Sequence, residues 1–295
     1  MITLTKNIEE AKFITHSGIF HPDDVFSTAF LDKMFPNNKV IRVNKVEKVK
    51  QDQIVYDIGF GKFDHHGKDA KWRNEKLKYS SFGLLWKTYG HQYLEKITPH
   101  YQDVWKKVDE KLVCQIDGID NGNFPKIIAD YELLDLDKVI DLYNKNWDSK
   151  ADNDEQFLKA VFVASELLDN LIKREISYSI AFKKVIKIIN NTEGDILYLD
   201  EYMPYEEAIF YNNNNNRFKA IIYPANRGGF NIKPITISKE SYELKYHFPE
   251  EWCGLEEKEL INKSKIRTLR FIHSNGFIAS TGTKEDAYLL CKNLN

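Results

Sequence analysis

Residues 12–34 read KFITHSGIFHPDDVFSTAFLDKM and determine how the fold begins. The first four residues are a β-type run that ends at a His-Ser-Gly loop, which predicts a short strand. Pro22 then suits the first position of a helix, and Asp23 and Asp24 suit its first turn, where the helix dipole favours negative charge. Apolar residues recur at helical spacing as far as Met34. This order predicts a strand, a loop with two histidines and a helix.

The same alternation of strand and helix continues along the first half of the chain. Residues 39–43 and 53–58 read as strands. An apolar helical pattern follows Ser81 and is expected to end at Gly90, and the chain becomes helical again from Tyr101. Strands that alternate with helices predict an α/β domain with a mostly parallel sheet flanked by helices.

The chain changes character near residue 190. Before that point, residues 157–189 read as one or two helices. After it come three strand-like runs and a closing helix, at residues 196–199, 218–223, 269–272 and 284–294. The five consecutive asparagines at 212–216 read as a solvated loop tip. We therefore expect a larger N-terminal domain at 1–190 and a smaller C-terminal α+β domain at 191–295.

The composition excludes some classes of protein. The 295 residues carry a formal net charge of −2, whereas a protein that holds nucleic acid by bulk charge should be strongly basic. Three cysteines lie far apart without a CxxC pair, which suits reduced thiols. The start of the sequence has no apolar secretory segment, and no run approaches the ~18 apolar residues of a membrane span. We expect a cytoplasmic protein with no membrane partner, and leave open whether it forms an oligomer.

Histidines and aspartates are concentrated in one part of the chain. Four of the eight histidines fall within residues 16–66, in three His/Asp clusters that each follow a strand or lie where a strand becomes a loop. The clusters contain His16, His21, Asp23 and Asp24; then Asp57; then Asp64, His65 and His66. The carboxyl ends of parallel strands form one edge of a sheet, where ligands bind. We expect these side chains to meet at that edge.

The residue types indicate a metal site. Imidazoles mixed with carboxylates, and no nearby thiolate, suit Mn²⁺-like ions better than structural zinc. The candidate ligands are too many for one tetrahedral ion and suit two, with Asp57 placed to bridge them. Asp117 and Asp120 lie three positions apart, so they share a face if the helix from Tyr101 persists. Any one of these residues alone would more often be a helix cap or a solvated turn residue.

Several motifs occur in a specific order and spacing. They are THSGIFHPDD at 15–24, DHH at 64–66, YSSFGL at 79–84, DGIDNG at 117–122, FPEEWCGL at 248–255 and FIHSNGF at 271–277. Together they closely resemble the Myg family (melanocyte proliferating gene proteins), a branch of the DHH phosphoesterase superfamily, over essentially the whole chain. One departure is that Pro22 replaces the family's cysteine and Asp24 its glutamate. A proline side chain cannot bind a metal ion.

The resemblance implies a phosphodiester hydrolase that acts as a 3′-to-5′ exonuclease on RNA or short oligonucleotides. It implies an N-terminal DHH-type domain with two divalent ions, Mn²⁺ or alternatively Mg²⁺, that activate water. Carried over to this sequence, His16 and His21 look like ligands of one ion. Asp23 looks like a ligand of the other ion, and Asp57 like a bridge between the two. His65 looks like a further ligand of the second ion.

The resemblance also implies roles for the residues around these ligands. Asp64 would orient His65 by accepting a hydrogen bond from its second ring nitrogen. His66 looks like the residue that contacts the phosphate or the attacking water. The last carboxylate ligand is Asp120 or Asp117. The sequence DNGNF, which starts at Asp120, resembles the Asp-Thr-Gly-Ser-Phe of oligoribonucleases and favours Asp120.

In the superfamily a second domain closes over the metal site and binds the substrate. His273 and Gly276 resemble its substrate loop, although the usual run of glycines is missing. Arg217, Arg227 and Arg267 are candidate phosphate-binding residues, since a guanidinium group binds phosphate through two parallel hydrogen bonds. The alternative is that these three are ordinary surface arginines.

Two other functions are compatible with the sequence. A small-molecule phosphohydrolase that acts on pyrophosphate or nucleotides would use the same metal chemistry. A binding or regulatory protein would hold metal in a structural site and show no turnover. The products released from an RNA substrate and from pyrophosphate separate these functions from an exonuclease.

Overall fold

A computed structural model describes residues 2–124 and 128–295 of the protein. A four-stranded parallel sheet and several helices form the first half of the chain, so the predicted α/β fold is confirmed. Within the described ranges, none of the helices is both long enough and apolar enough to cross a membrane.

The chain forms two compact units, Met1–Ile176 and Ser177–Asn295. The division falls inside a single helix, Asn153–Asn191, which the sequence predicted as one or two helices. A catalytic domain at 1–190 and a substrate-binding domain at 191–295 stay predictions.

The described residues of the first unit form six strands and most of the helices. The strands are β1 (Thr3–Leu4), β2 (Phe13–His16), β3 (Lys39–Val43), β4 (Ile54–Val55), β5 (Trp72–Asn74) and β6 (Leu77–Lys78). The helices are α1 (Pro22–Met34), α2 (Ser81–Glu95), α3 (Tyr101–Val108), α4 (Cys114–Asp120), α5 (Leu136–Asp141) and the start of α6 (Asn153–Asn191), with a π-helical segment at Asp109–Val113.

One parallel sheet in this unit has the strand order β1-β3-β2-β4. Its register pairs Ile14 of β2 with Ile41 of β3 and Val55 of β4. Because neighbouring strands run in the same direction, β2 and β4 end at the same edge of the sheet. His16 is the last residue of β2, and Asp57 follows β4 by two residues, so this edge carries both.

An aromatic cluster joins α1 to α2. Phe26 and Phe30 of α1 pack on Phe82 of α2 with ring centroids 5.7 and 6.3 Å apart, and Phe30 also packs on Trp86 at 5.2 Å. All four side chains are fully buried. Burial of each such ring stabilises the fold by roughly 1.5–3 kcal/mol. The cluster therefore fixes the first turn of α1, with its two aspartates, against the start of α2.

Helix α2 continues through Gly90 to Glu95, so the predicted helix end at Gly90 is wrong. The glycine lies inside the helix because the indole of Trp105 packs directly on it. A Cβ at position 90 would lie 2.7 Å from Trp105 Nε1. Gly90 therefore serves the close approach of α3 to α2 and does not end the helix.

The second unit contains a mixed sheet and three short helices in addition to the end of α6. The strands are β7 (Ile196–Tyr198), β8 (Ala220–Pro224), β9 (Phe230–Pro234), β10 (Leu269–Ile272) and β11 (Ala279–Thr281), and the helices are α7 (Glu206–Phe210), α8 (Glu257–Ser264) and α9 (Lys284–Cys291). The strand order is β10-β11-β9-β8-β7, with β7 and β8 parallel and the other neighbours antiparallel. This α+β arrangement agrees with the predicted fold.

Candidate metal centre

The shared edge of β2 and β4 brings a histidine against two carboxylates. His16 Nε2 lies 3.2 Å from Asp57 Oδ2 and 3.4 Å from Asp24 Oδ2. The other ring nitrogen, Nδ1, lies 3.1 Å from the carbonyl oxygen of Ser17. Because a carbonyl only accepts hydrogen bonds, Nδ1 carries a proton and donates to it, which leaves Nε2 as the ring nitrogen placed to bind a metal ion beside the carboxylates. These three side chains, His16, Asp24 and Asp57, are called group A.

A second set of ligand atoms forms where the DHH loop meets α4 and the first turn of α1. His65 Nε2 lies 2.7 Å from Asp120 Oδ2, and His65 Nδ1 lies 4.0 Å from Asp23 Oδ2. Group B consists of Asp23, His65 and Asp120, whose candidate ligand atoms lie within 4.8 Å of one another. The Ser81 hydroxyl donates to Asp23 Oδ2 at 2.7 Å, which fixes the orientation of that carboxylate.

Asp57 lies between the two groups. Its Oδ2 faces His16, and its Oδ1 lies 3.6 Å from His65 Nδ1. The carboxylate thus presents one oxygen to each group, as a bridging ligand must. Asp57 has a φ of +55°, which is uncommon for residues other than glycine. Backbone strain of this kind occurs preferentially at functional sites, where the surrounding structure holds it in place.

The donor atoms of both groups fit a divalent cation. Among the described residues, several buried ligand atoms have no hydrogen-bond partner: Asp23 Oδ1, Asp24 Oδ2, Asp57 Oδ1 and His65 Nδ1, whereas Asp120 Oδ2 contacts His65 Nε2. Buried polar atoms are normally paired in native proteins, and leaving them unpaired costs free energy. Carboxylate oxygens together with imidazole nitrogens are a donor set that suits a divalent ion such as Mn²⁺.

The electrostatics of the cluster point to the same conclusion. Burial raises the pKa of Asp23, and it raises the pKa values of Asp24 and Asp57 well above the usual range. Repulsion from neighbouring carboxylates acts in the same direction for all three. Without a cation the charged cluster is therefore unfavourable, and a bound cation relieves both the burial cost and the repulsion.

Asp24 occupies the place in group A that the resemblance gave to His21. The Asp24 side chain is fully buried, whereas His21 lies beside the group, with its ring centroid 6.1 Å from that of His16. The backbone N–H of His21 donates to Asp24 Oδ1 at 2.8 Å and so helps to begin α1. Metal binding by His21 stays a prediction. The signal for Asp24 in the sequence was its position beside Asp23 in the first turn of α1.

Asp64 contacts His66, whereas the resemblance had placed it against His65. Its Oδ1 lies 2.7 Å from His66 Nδ1 and accepts the backbone N–H of His66 at 3.0 Å. Its Oδ2 accepts the backbone N–H of Phe60 at 2.6 Å. Aspartate bonds readily to the backbone two residues further along a turn, which explains the difference. Burial raises the pKa of Asp64, but the hydrogen bonds from His66 and Phe60 outweigh burial and lower the pKa to about 2.

Asp117 belongs to a different network from Asp120. Its fully buried carboxylate accepts hydrogen bonds from Arg73 Nε and Nη2 at 2.8 and 2.6 Å, and from Ser80 Oγ at 2.7 Å. Gly83 leaves room for this carboxylate, because a Cβ at position 83 would collide with it. Asp120 lies three residues later and belongs to group B. The placement favours Asp120 as the ligand and Asp117 as a residue that anchors α4.

His273 and Gly276, the residues predicted to form a substrate loop, lie in the turn between β10 and β11. The backbone N–H of His273 donates to the carbonyl of Ile278 at 2.9 Å, and that of Gly276 donates to the carbonyl of His273 at 2.7 Å. Gly276 has a φ of +67°, and the His273 ring lies 4.2 Å from the Phe277 ring. The turn is thus tightly closed, and its contact with substrate stays a prediction.

The three predicted phosphate-binding arginines have different surroundings. Arg217 donates to the carbonyl oxygens of Ile189 and Thr192, so its guanidinium caps the end of α6. Arg227 lines a cavity of about 600 Å³ in the second unit, and Arg267 is exposed. The contacts of Arg217 account for its presence, while phosphate binding by all three stays a prediction.

An open cavity of about 890 Å³ leads to both ligand groups. Its walls include His16 and Asp57 from group A, and His65 and Asp120 from group B. His66 also lines the cavity, and its ring is about half exposed. The volume of the cavity falls within the range of pockets that hold whole small molecules.

The first unit thus has a parallel sheet with two His/Asp groups close to the carboxyl ends of its strands. The chain is therefore an α/β protein with a candidate metal centre. The model of the family described as "Uncharacterised protein family (UPF0160)", labelled MYG1_exonuc, matches residues 12–294. The chain belongs to this family.

Relatives of similar length occur in eukaryotes. The chain is 27% identical over 315 residues to the MYG1 protein of Dictyostelium discoideum, and the match covers 95% of both chains. It is 26% identical over 320 residues to a MYG1 protein of Saccharomyces cerevisiae, with 94% of both chains covered. It is 24% identical over 310 residues to the MYG1 exonuclease of Mus musculus, covering 92% of this chain and 82% of that protein. Among solved structures, none matches this chain.

Proposed function

We propose that this protein is a metal-dependent phosphodiester hydrolase that acts as a 3′-to-5′ exonuclease on RNA or short oligonucleotides. One observation carries the proposal: Asp57 of group A lies against His65 of group B, and both groups hold buried ligand atoms without hydrogen-bond partners at an open cavity. Membership of a family in which the Mus musculus relative is named an exonuclease supports it. The proposed cofactor is a pair of Mn²⁺ ions, with Mg²⁺ as the alternative.

Divalent ions bound at groups A and B would supply an activated water and stabilise charge on the attacking and leaving oxygens. The residues of the chain hold that arrangement in place. Asp57 presents one carboxylate oxygen to each group. Ser81 orients Asp23 in group B, and the proton on His16 Nδ1 leaves Nε2 free to bind in group A.

His66 is placed to act on the substrate. Its Nδ1 lies 2.7 Å from Asp64 Oδ1, and the low pKa of Asp64 keeps that carboxylate charged. The Nδ1–H group of His66 therefore donates a hydrogen bond to Asp64, and Nε2 is left to contact the substrate or the attacking water. We assign His66 the contact with the phosphate or with the attacking water.

The charge of the cavity makes substrate binding depend on metal. Among the described residues, its lining carries four aspartates, Asp57, Asp64, Asp120 and Asp137, and one lysine, Lys78. Divalent ions held by these carboxylates would bring positive charge to the place where a phosphodiester binds. The net charge of −2 means that the rest of the chain offers no large positive excess to compensate. Tight binding of an oligonucleotide is therefore expected only with a divalent ion present.

The second unit is proposed to contribute to substrate binding. The proposed contact surface is the turn that carries His273 and Gly276, together with Arg227 and Arg267. Arg217 is a further candidate, although its guanidinium caps the end of α6. The cytoplasmic location and the oligomeric state stay predictions.

The test of this function is Mn²⁺-stimulated hydrolysis of a short RNA labelled at its 5′ end. A 3′-to-5′ exonuclease shortens the labelled strand one nucleotide at a time and releases mononucleotides. A DNA strand of the same sequence tests the preference for RNA. Release of inorganic phosphate from pyrophosphate, with the RNA left intact, would instead support a small-molecule phosphohydrolase.

Replacing His66 by asparagine is expected to lower kcat on the RNA by about 10²- to 10⁴-fold, as loss of a proton-transferring side chain does. His66 also forms a third candidate ligand set with Asp57, Asp64 and His65. Because its Nδ1 contacts Asp64 and its ring is about half exposed, the rise in melting temperature caused by Mn²⁺ should be retained. Steady-state kinetics and thermal unfolding with and without Mn²⁺ measure the two effects. Loss of the Mn²⁺ effect in His66→Asn would instead identify His66 as a metal ligand.

A further inference from the structure

Three exposed apolar side chains lie around the cavity that leads to the ligand groups. Ile19 is 64% exposed, Phe60 76% and Phe124 57%, and all three line the same cavity as His66. Single exposed apolar residues are common on protein surfaces and need no explanation. Three at one cavity, beside a cluster of carboxylates and imidazoles, form an apolar rim next to a polar site.

Phe60 is held in a conformation that its residue type disfavours. Its φ is +56°, in the left-handed region, where a bulky side chain is an outlier. The neighbouring Gly59 and Gly61 show that this loop readily accommodates glycine, which would adopt the same conformation without strain. Because the ring is largely exposed, packing in the core does not explain why phenylalanine occupies the position. Strain of this kind at a cavity points to a functional side chain.

The Phe60 ring lies beside the backbone of the DHH motif. A Cβ added at Gly67 would lie 3.6 Å from Phe60 Cδ1, so the ring is in reach of the residue that follows His66. The hydrogen bond from the Phe60 backbone to Asp64 ties the ring's position to the carboxylate that holds His66. The aromatic face and the proposed phosphate contact therefore belong to one short loop.

Phe124 lies just after α4 and lines the same cavity as Phe60. The backbone N–H of Asn123 donates to the carbonyl of Gly118 at 2.8 Å, and this bond closes the turn that follows Asp120. Phe124 is thus connected by a short, hydrogen-bonded turn to a residue of group B. The two aromatic rings are therefore connected to the loop that contains Asp64 and to the turn that follows Asp120.

Building on the proposed hydrolase function, we propose that Phe60 and Phe124 form a stacking surface for a nucleobase of the substrate. Every base has an apolar face, and stacking on an aromatic side chain strengthens binding by about 5- to 150-fold per base, with little sequence preference. A cavity of about 890 Å³ has room for a nucleotide. An inorganic phosphoanhydride has no apolar face and would gain nothing from the rim. The site therefore takes phosphodiesters that carry bases.

The test compares two RNA oligonucleotides that differ only in whether the nucleotides at the 3′ end are normal or abasic. In Phe60→Leu and Phe124→Leu, KM for the normal RNA is expected to rise by about 5- to 150-fold, with kcat changed by less than about threefold and KM for the abasic RNA unchanged. Phe60→Tyr, which keeps an aromatic face, should restore binding. Phe162→Leu is the matched control, since Phe162 is 48% exposed on α6 and does not line the cavity.

Equal effects on both RNAs, or no effect on KM, would overturn the proposal. So would dissociation of an oligomer by the same variants with KM unchanged, because the rim would then be a contact between chains. Thermal unfolding with Mn²⁺ confirms that the leucine variants fold and still bind metal. Fluorescence of a 3′-terminal 2-aminopurine, measured with Mg²⁺, separates the two proposals. Quenching by the wild type but not by Phe60→Leu, with no hydrolysis of any RNA in the presence of Mn²⁺ or of Mg²⁺, supports the rim and contradicts the exonuclease function.

Discussion

Replacing Asp57 by asparagine is expected to lower Mn²⁺-stimulated turnover of a short RNA by about 10³-fold or more, because several kcal/mol of transition-state stabilisation depend on the ions. Asp57 is the one carboxylate whose two oxygens face different ligand groups, with His16 on one side and His65 on the other. An asparagine offers one oxygen and no charge, so it cannot bridge two ions. Steady-state kinetics across a range of Mn²⁺ concentrations measure the loss.

The same substitution should leave the fold intact. Burial and the neighbouring Asp23 raise the pKa of Asp57 well above its usual range, so the charged carboxylate is unfavourable in the metal-free protein. A neutral amide removes that repulsion. We therefore expect the melting temperature of metal-free Asp57→Asn to equal or exceed that of the wild type. The rise that saturating Mn²⁺ produces in the wild type, about 2.7 kcal/mol of stability at a hundredfold excess over Kd, should be clearly smaller, because group A loses a ligand while group B stays complete.

Asp137→Asn provides a matched control for Asp57→Asn. Asp137 also lines the cavity, but among the described residues it belongs to neither ligand group. Its replacement removes the same charge from the same cavity, and both turnover and the Mn²⁺ effect should stay near wild type. Full activity of Asp57→Asn, or an equal loss in Asp137→Asn, would contradict the bridging role.

The part of the site that follows from parallel strand ends could be predicted from the sequence. His16 ends one strand, and Asp57 follows the neighbouring strand, so the shared direction of β2 and β4 brings them to one edge. The DHH motif follows shortly after, and its His65 lies within reach of the same carboxylate. Local order along the chain was sufficient because each residue is only a few positions from a strand that the sequence already predicted.

The contacts that hold the ligands in place could not be predicted in the same way. Ser81 bonds to Asp23 across 58 positions of sequence, and Arg73 bonds to Asp117 across 44. The first pair depends on how α2 packs against α1, and the second on how β5 packs against α4, which residue spacing does not reveal. The prediction of a helix end at Gly90 was wrong for the same reason. The glycine is required by the packing of Trp105 from α3, which the sequence alone does not show.

Separate substitutions of Asp120 and Asp117 are expected to change different properties of the protein. Asp120→Asn should mainly lower turnover and Mn²⁺ binding, and Asp117→Asn should mainly lower the free energy of unfolding. Asp120→Asn removes a ligand of group B, so we expect turnover to fall by at least about 10²-fold and the Mn²⁺ effect on melting to weaken. Metal-free stability should also fall, because Asp120 Oδ2 lies 2.7 Å from His65 Nε2 and this pair is lost. Asp117→Asn breaks the buried pair with Arg73 and should cost about 3 kcal/mol in the free energy of unfolding. This is the lower end of the range for buried pairs, because Arg73 keeps its contact with Asp109.

Urea unfolding without metal and titration with Mn²⁺ measure these two effects independently. Arg73→Met is the matched control, because it breaks the same pair from the other side, leaves both ligand groups intact and should destabilise the protein by a similar amount. Below the unfolding transition, Asp117→Asn and Arg73→Met should bind Mn²⁺ with affinities close to each other. If Asp117→Asn abolishes Mn²⁺ binding while Arg73→Met preserves it, Asp117 is itself a ligand, and the assignment of the last carboxylate to Asp120 fails.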